Sequence, residues 1–185
     1  MSRPVRSIGR SLDVADDDLV ARLGGGDLDA LGRLYDRHAA GLARLASRLG
    51  AAADTEDVVH AVFVRVVDLA PRFAPGRGSV RAWLAGITVK VVRERRRSLA
   101  RWLQAMGALA REPQGETAKP GSTRVDVLRA LAELPAAQRE AVILVDGTGL
   151  TSVEAAEALG VPIGTIWSRL HHGRAALRAR LGDER

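Results

Sequence analysis

Apolar residues recur every three or four positions through most of this sequence, which is the spacing of amphipathic helices. Acidic residues at Asp16–Asp18 favour the start of a short first helix. Asp27 can cap the second helix, and Asp54 or Thr55 can cap the third. Four helices are therefore predicted in the first half, over residues 16–23, 28–49, 55–70 and 80–101.

The periodic pattern is interrupted at Met106–Ser122, a segment with several Gly and Pro residues and few apolar anchors. Such a composition is typical of a linker. The predicted organisation is an N-terminal extension over 1–15, a helical domain over 16–104, a linker over 105–122 and a second domain over 123–185. In the second domain, helices are predicted over 125–134 and 135–145, before a Gly147–Gly149 turn.

The last part of the periodic pattern, Leu150–Arg174, predicts two short helices joined by a tight turn. Thr151 and Glu154 have the spacing of a capping box, so a helix should begin there. Gly160 then ends this helix, and Pro162 suits the first turn of the next one. Two helices in this arrangement are typical of a DNA-reading helix-turn-helix.

The second helix of this pair has an apolar face, formed by Ile166, Leu170, Gly173 and Leu177. The opposite face is polar and free of acidic residues, and it consists of Gly164, Thr165, Ser168, His171 and His172, with Trp167 beside it. This polar face can enter a major groove, with Arg169 and Arg174 placed for phosphates. The alternative is a helical hairpin of an unrelated bundle, with Trp167 in the core and the histidines merely solvated.

The composition supports an all-α fold, because 46% of the residues are hydrophobic but only 3% are aromatic. The formal charge is +6, and Lys90 and Lys119 are the only lysines, so arginine carries nearly all the positive charge. Arginine suits phosphate, which indicates an anionic partner. A genome rich in G and C would produce the same bias without any such partner.

Two clusters in the first domain are open to more than one interpretation. The basic run Arg93–Arg97, with Arg77, Arg81 and Arg101, either binds a nucleic-acid backbone or forms a solvated helix end. The aromatic residues Phe73, Trp83 and Trp102 either stack on single-stranded bases or belong to the core.

Several classes of function are disfavoured. The sequence contains no cysteine, which removes disulfides, thiolate metal sites and cysteine catalysis. His38 and His60 have no second ligand at metal spacing, and no catalytic constellation or cofactor motif is found, so we expect no metal, no cofactor and no enzymatic activity. The N-terminus has neither a secretory signal nor a membrane span, which predicts a cytoplasmic protein without membrane insertion.

The C-terminal motifs resemble the extracytoplasmic-function sigma factors of bacterial RNA polymerase, in the domain that binds the promoter −35 element. The matching segments are Leu134–Pro135, Gln138–Glu140, Gly149–Leu150, Glu154–Ala156, Leu159–Pro162, Gly164–Thr165 and Ser168–Leu170. In the first half, Glu56–Val59, Phe63, Gly78, Ala82–Leu84 and Ile87 resemble the domain that grips polymerase and reads the −10 element.

Five positions depart from the family pattern. His60 and Ala61 stand where Gln-Glu is common, and Lys90 stands where asparagine is frequent. Trp167 and His172 stand where the family often has basic residues. These changes predict altered polymerase docking and an unusual −35 sequence.

The resemblance implies that the chain is a dissociable initiation subunit whose functional residues fall into three groups. Docking on the clamp helices of the large polymerase subunit is implied for Asp57, Val58, His60, Ala61 and Phe63. Recognition of the −10 element is implied for Phe73, Arg77, Ser79, Trp83, Lys90, Arg93, Arg96 and Arg97. Recognition of the −35 element is implied for Pro162, Gly164, Thr165, Trp167, Ser168, Arg169, His171, His172 and Arg174.

The same resemblance implies contacts with promoter DNA and with the flap of the second-largest polymerase subunit. It also implies sequestration by an anti-sigma factor, and a monomer when partners are absent. Two other functions remain open from the sequence. One is a one-component helix-turn-helix regulator whose helical N-terminal domain binds a signal or another subunit. The other is a helical nucleic-acid hydrolase that works through paired carboxylates.

Overall fold

The computed structural model describes residues 14–74, 76, 78–106 and 123–182, and within these residues it contains helices and no strand. The all-α prediction is therefore confirmed. The α-helices are α1 Asp16–Gly24, α2 Leu28–Arg48, α3 Thr55–Leu69, α4 Val80–Ala105, α5 Thr123–Ala132, α6 Ala136–Val142, α7 Ser152–Leu159 and α8 Ile163–Leu181.

Helices α1–α4 form the first unit around a core of aliphatic side chains, among which Leu19, Leu34, Val62 and Leu84 are fully buried. Asp27 caps α2 as predicted, because its carboxylate accepts from the backbone N–H of Asp29 at 3.0 Å. Two predicted segments lie mostly outside the described residues. They are the linker, over residues 107–122, and the N-terminal extension, over residues 1–13.

The predicted cap of α3 is wrong. Asp54 precedes the helix but its side chain accepts no capping hydrogen bond. Thr55 is the first helical residue, and its hydroxyl donates backwards to the carbonyl oxygens of Ala51 and Ala52 at 2.9 and 3.0 Å. The hydroxyl therefore fastens the preceding loop to α3, while the first N–H groups of α3 receive no side-chain acceptor.

Helices α5–α8 form the second unit, in which α8 packs closely on α6. A Cβ atom added at Gly173 would lie 2.8 Å from Cγ2 of Val142, so only glycine allows the two helices this approach. The predicted α-helix over 135–145 ends early, at Val142, and the chain continues as one wider π turn over Ile143–Gly147.

The helix-turn-helix forms at the predicted positions. Thr151 and Glu154 make a reciprocal capping box, with the hydroxyl of Thr151 accepting from the Glu154 N–H at 3.2 Å. Gly160 follows α7 in the left-handed conformation, with φ of 65°. Pro162 lies one residue earlier than expected, at the N-cap instead of the first turn, because its ψ of 146° is extended.

The two units pack against each other along α4, whose first half contacts α7. The helices come closest at Gly86, where an added Cβ would lie 2.6 Å from the carbonyl oxygen of Ala158. Polar contacts also join the units, and they include Ser79 donating to Glu154 at 2.5 Å, Arg81 donating to the Gly149 carbonyl at 2.9 Å, and Arg48 donating to the Gly147 carbonyl. We call this packed state the closed arrangement.

We predict that Gly160→Ala destabilises the fold by about 1–2 kcal/mol, because an L-residue pays that penalty in the left-handed conformation. Gly32→Ala is the matched control, since Gly32 lies inside α2 with no atom near an added Cβ. The control should stabilise the protein by about 0.5–1 kcal/mol. Urea denaturation followed by circular dichroism measures both, and equal effects would contradict the assignment.

Candidate nucleic-acid and polymerase interfaces

Four of the residues predicted for −10 recognition lie together. Phe73, Ser79, Trp83 and Lys90 line one cavity of about 330 Å³ beside the start of α4. The rings of Phe73 and Trp83 have their centroids 4.9 Å apart with a 52° angle between the planes, an ordinary aromatic packing geometry. Arg77 lies outside the described residues, so its predicted place in this group stays a prediction.

The second unit forms one wall of this cavity, which we call the −10 cavity. Glu157 and Ala158 of α7 line it, and Glu157 approaches Gly78 so closely that an added Cβ would lie 2.3 Å from its carboxylate oxygen. Gly78 has φ of 114°, a conformation that L-residues rarely adopt. The −10 cavity is thus partly covered by an acidic helix.

Glu154 joins the same helix to the edge of the cavity. Its carboxylate accepts from the Ser79 hydroxyl, which also accepts from the backbone N–H of Ala82 as the N-cap of α4. The Ser79 hydrogen bond, followed by the capping contacts with Thr151, lowers the pKa of Glu154 below its ordinary value. One carboxylate therefore caps α7 and holds the N-terminus of α4.

The arginines predicted to hold the −10 backbone do not line the −10 cavity. Arg93, Arg96 and Arg97 lie on a separate cleft between α4 and α6. Arg93 forms a two-point ion pair with Glu140 of the second unit, and this hydrogen bonding raises the pKa of Arg93. In the closed arrangement Arg93 is consequently engaged by a carboxylate, so its contact with the −10 backbone stays a prediction and requires this ion pair to open.

The polar face predicted for α8 is open to solvent. Trp167 is 58% exposed, so the alternative that places it in the core is wrong. Pro162, Gly164, Ser168, His171 and His172 are also exposed, and Thr165 is half-buried. On the opposite face Ile166, Leu170 and Gly173 are buried, as predicted.

The two arginines that flank this face are constrained. Arg174 forms a two-point ion pair with Asp146, with Nε and Nη2 donating at 3.0 and 2.7 Å, and this contact raises the pKa of Arg174. Arg169 is half-buried, and its Nη1 atom has no hydrogen-bond partner among the described residues. Neither guanidinium is presented to solvent as a wholly free phosphate ligand.

Only part of the predicted polymerase-docking set lies on the surface of α3. Asp57 is 72% exposed, His60 is exposed and Ala61 is half-buried. Val58 and Phe63 are buried in the core, which corrects their predicted contact with polymerase. Their burial follows from the helical period, because Val58 and Phe63 continue the inward stripe of Val59, Val62 and Val66.

The structure adds two side chains to this surface that were not predicted. Val64 is 65% exposed, one turn beyond His60 and Ala61. Tyr35 of α2 stacks on the His60 ring with centroids 6.4 Å apart. The sequence does contain a signal for Val64, because this valine interrupts a stripe of the helix that is otherwise polar. It contains no such signal for the Tyr35 contact, which depends on how α2 and α3 pack. We call Asp57, His60, Ala61 and Val64 the α3 face.

Neither a metal site nor a membrane span is found in the part of the chain that the structure describes. No three His, Asp or Glu side chains there are grouped to hold a metal ion. His38 instead contacts Asp16, with Nε2 and Oδ2 at 2.7 Å. Among the same residues, no helix has the length and apolar character needed to cross a membrane.

Two protein families match the two units of the chain. Sigma-70 region 2 matches residues 34–102, and Sigma-70 region 4 matches residues 124–177. The first match covers the α3 face and the −10 cavity apart from its α7 wall, and the second covers the helix-turn-helix. The predicted two-domain architecture is confirmed by this pair, while the domain limits at 104 and 123 stay predictions.

Similar proteins and structures carry the same description. The RNA polymerase sigma factor SigL of Mycobacterium tuberculosis is 34% identical over 156 residues, which span 81% of this chain and 88% of SigL. CnrH of Cupriavidus metallidurans is 30% identical over 182 residues, covering 90% and 94% of the two chains.

Two solved structures are also similar. One is CnrH in complex with the cytosolic domain of CnrY, with a TM-score of 0.68, 30% identity and coverage of 93% of this chain and 100% of that one. The other is RpoE of Bartonella quintana with the anti-sigma factor NepR, with a TM-score of 0.71, 28% identity and coverage of 83% and 98%. The chain therefore belongs to the extracytoplasmic-function sigma factors, the subunits that direct bacterial RNA polymerase to promoters.

Proposed function

We propose that this sigma factor docks on the clamp helices of the large polymerase subunit through the α3 face. The observation that carries this assignment is the exposure of Asp57 and Val64 on one side of a helix whose other side is core. An exposed valine beside an exposed carboxylate offers both apolar area and charge to a partner. The ring of Tyr35 lies next to this face, with its centroid 6.4 Å from that of the His60 ring.

The −10 cavity is the proposed site for a base of the melted promoter. Phe73 and Trp83 supply aromatic surface and Lys90 supplies a positive charge at one cavity of about 330 Å³. Stacking on such a surface suits an unpaired base. Lys90 in place of the more common asparagine suits an acceptor edge of the base or a phosphate oxygen.

The exposed face of α8 is the proposed reader of the −35 element in the major groove. Ser168 and His171 offer hydrogen bonds to base edges, and Trp167 offers an apolar contact to a thymine methyl group. Arg174 serves as the phosphate ligand once Asp146 releases it. The flap of the second-largest polymerase subunit is the proposed contact that positions this unit.

Promoter binding requires the closed arrangement to open. The two elements lie about 25 base pairs apart, and at ~3.4 Å per base pair their centres are roughly 85 Å apart. In the closed arrangement α4 and α7 are in direct contact at Gly86 and Ala158, so the two readers cannot span that distance. Separation of the units also removes Glu157 from the −10 cavity.

Sequestration by an anti-sigma factor fits this arrangement. The solved complex of the similar RpoE contains the anti-sigma factor NepR. A protein that binds across both units would hold them closed and keep the −10 cavity covered. The net charge of +6 favours a partner with an acidic surface.

The alternative of a one-component regulator loses its support, because Sigma-70 region 2 matches the helices that it would use for signal binding. The hydrolase alternative would need clustered carboxylates, and the acidic residues of the described segments are committed to caps and ion pairs or scattered on the surface. Under this proposal polymerase carries out the chemistry of RNA synthesis, and this chain acts together with polymerase in the cytoplasm.

Replacement of Asp57 tests the docking face. Asp57→Ala should weaken binding to core polymerase by at least about tenfold, because an exposed charge at the centre of an interface is lost. Asp18→Ala, at an exposed acid of α1, is the matched control and should change nothing. Competition binding with labelled sigma factor measures both, and unchanged binding of the folded Asp57 variant contradicts the proposal.

Transcription from a random promoter library tests the −35 assignment and the function together. Trp167→Ala should change which −35 sequences are selected, since one lost base contact is worth roughly 1–3 kcal/mol. Arg174→Ala should lower the yield from all promoters in the same proportion, because a phosphate contact carries no sequence information. A uniform loss in both variants would contradict the division between reading and positioning.

Removal of the Asp146–Arg174 ion pair should produce a variant with increased DNA affinity. Asp146→Asn should release Arg174 for a phosphate and steepen the salt dependence of duplex binding by about one unit. Asp68→Asn makes the same charge change on α3 and is the control. Fluorescence anisotropy across a salt series measures the slopes. Identical slopes in the two variants would mean that only net charge matters.

A further inference from the structure

A second cleft lies between the C-terminal half of α4 and the start of α6, away from the −10 cavity. It has a volume of about 230 Å³ and an apolar floor that includes Leu49, Val89 and Val92. Its charged residues are four arginines and one glutamate, namely Arg93, Arg96, Arg97, Arg139 and Glu140. The first three come from the first unit and the last two from the second, so the cleft exists only in the closed arrangement.

Arg139 is the side chain of this cleft whose hydrogen-bond donors are least satisfied. It is 7% exposed, and Nη1 donates to the Ala132 carbonyl at 3.0 Å. Its Nε atom is buried without a hydrogen-bond partner among the described residues. Burial lowers the pKa of Arg139, the positive charge of Arg96 lowers it further, and Glu140 opposes both effects. A buried donor without an acceptor is unfavourable and rare in folded proteins.

The single acid of the cleft does not supply that acceptor. Both carboxylate oxygens of Glu140 accept from Arg93, one of them from Nε at 2.7 Å. Arg96 and Arg97 are exposed and form no ion pair within the described part of the chain. Three guanidinium groups from two units therefore face one cleft with no carboxylate committed to them.

We propose that this cleft binds a small phosphate-bearing anion that bridges the two units, such as pyrophosphate or the phosphate tail of a nucleotide. Phosphate oxygens match the planar donor fork of arginine, and the exposed side chains of Arg96 and Arg97 present two such forks at this cleft. A free anion is favoured over the DNA backbone, because the cleft needs both units in contact and promoter binding needs them apart.

Such a ligand stabilises the closed arrangement and so opposes promoter binding. An anion that binds only the closed state, at about ten times its Kd, lowers the apparent promoter affinity about tenfold. The binding site itself does not rest on the proposed promoter contacts, whereas this regulatory effect does. Direct measurement of anion binding therefore tests the site separately.

Isothermal titration calorimetry of the full chain with pyrophosphate at constant ionic strength tests the proposal. The wild-type chain should show one saturable site. Arg96→Gln should weaken it by at least about tenfold, since a charge-assisted hydrogen bond is lost. Arg178→Gln removes the same charge from an exposed position of α8 and should leave the affinity unchanged.

A second variant tests the bridge without touching an arginine. In Gly86→Leu the new side chain would meet the carbonyl oxygen of Ala158 and force α7 away from α4. Because the cleft needs both units, this variant should lose the site although every arginine remains. Circular dichroism is expected to show that its helices are retained.

Four results would overturn the proposal. The first is no saturable binding by the wild-type chain, the second is equal weakening in Arg96→Gln and Arg178→Gln, and the third is full affinity in Gly86→Leu. The fourth is an Arg96→Gln variant that loses affinity for a short non-promoter duplex while keeping its affinity for pyrophosphate. This fourth result would mean that the cleft binds the phosphates of DNA and not a free anion.

Discussion

The close crossing of α4 and α7 determines how the two halves of this sigma factor relate to each other. Gly86 has no side chain, so the backbone of α4 reaches the backbone of α7 at Ala158. Around that point lie the contact between Ser79 and Glu154, the Arg81 contact with the Gly149 carbonyl and the Arg93–Glu140 ion pair. The crossing itself needs the glycine, because a side chain at position 86 would hold α4 and α7 apart at Ala158.

The crossing also explains why the two surfaces proposed to read DNA differ in the closed arrangement. The −10 cavity opens beside the N-terminus of α4, so the helix that packs on α4 also walls the cavity with Glu157. The polar face of α8 is outside this contact, and Trp167 stays exposed. A single contact between helices thus partly covers one proposed reading surface and leaves the other accessible.

Local chemistry made much of this fold predictable. The capping box at Thr151 and Glu154 and the end of the helix at Gly160 were predicted because each depends on neighbours within three or four residues. The inward positions of Ile166 and Leu170 follow from the helical period alone. The same period places Val58 and Phe63 in the core, against the docking contacts that the family resemblance implied for them.

Contacts between distant residues were not predictable. Arg93 and Arg174 were expected to meet phosphates, yet each is held by an acid 47 or 28 residues away along the chain. No sequence spacing reveals such a partner, because it depends on how the units pack. The π turn at Ile143–Gly147 was not predicted either, because the spacing of its apolar residues fits an α-helix equally well. Under the proposed roles, the exposed α8 has a kinetic consequence, because a free chain in the closed arrangement offers DNA the α8 face while Glu157 partly covers the −10 cavity. One contact surface holds DNA less firmly than two, so stable engagement of a promoter has to wait until the two units separate.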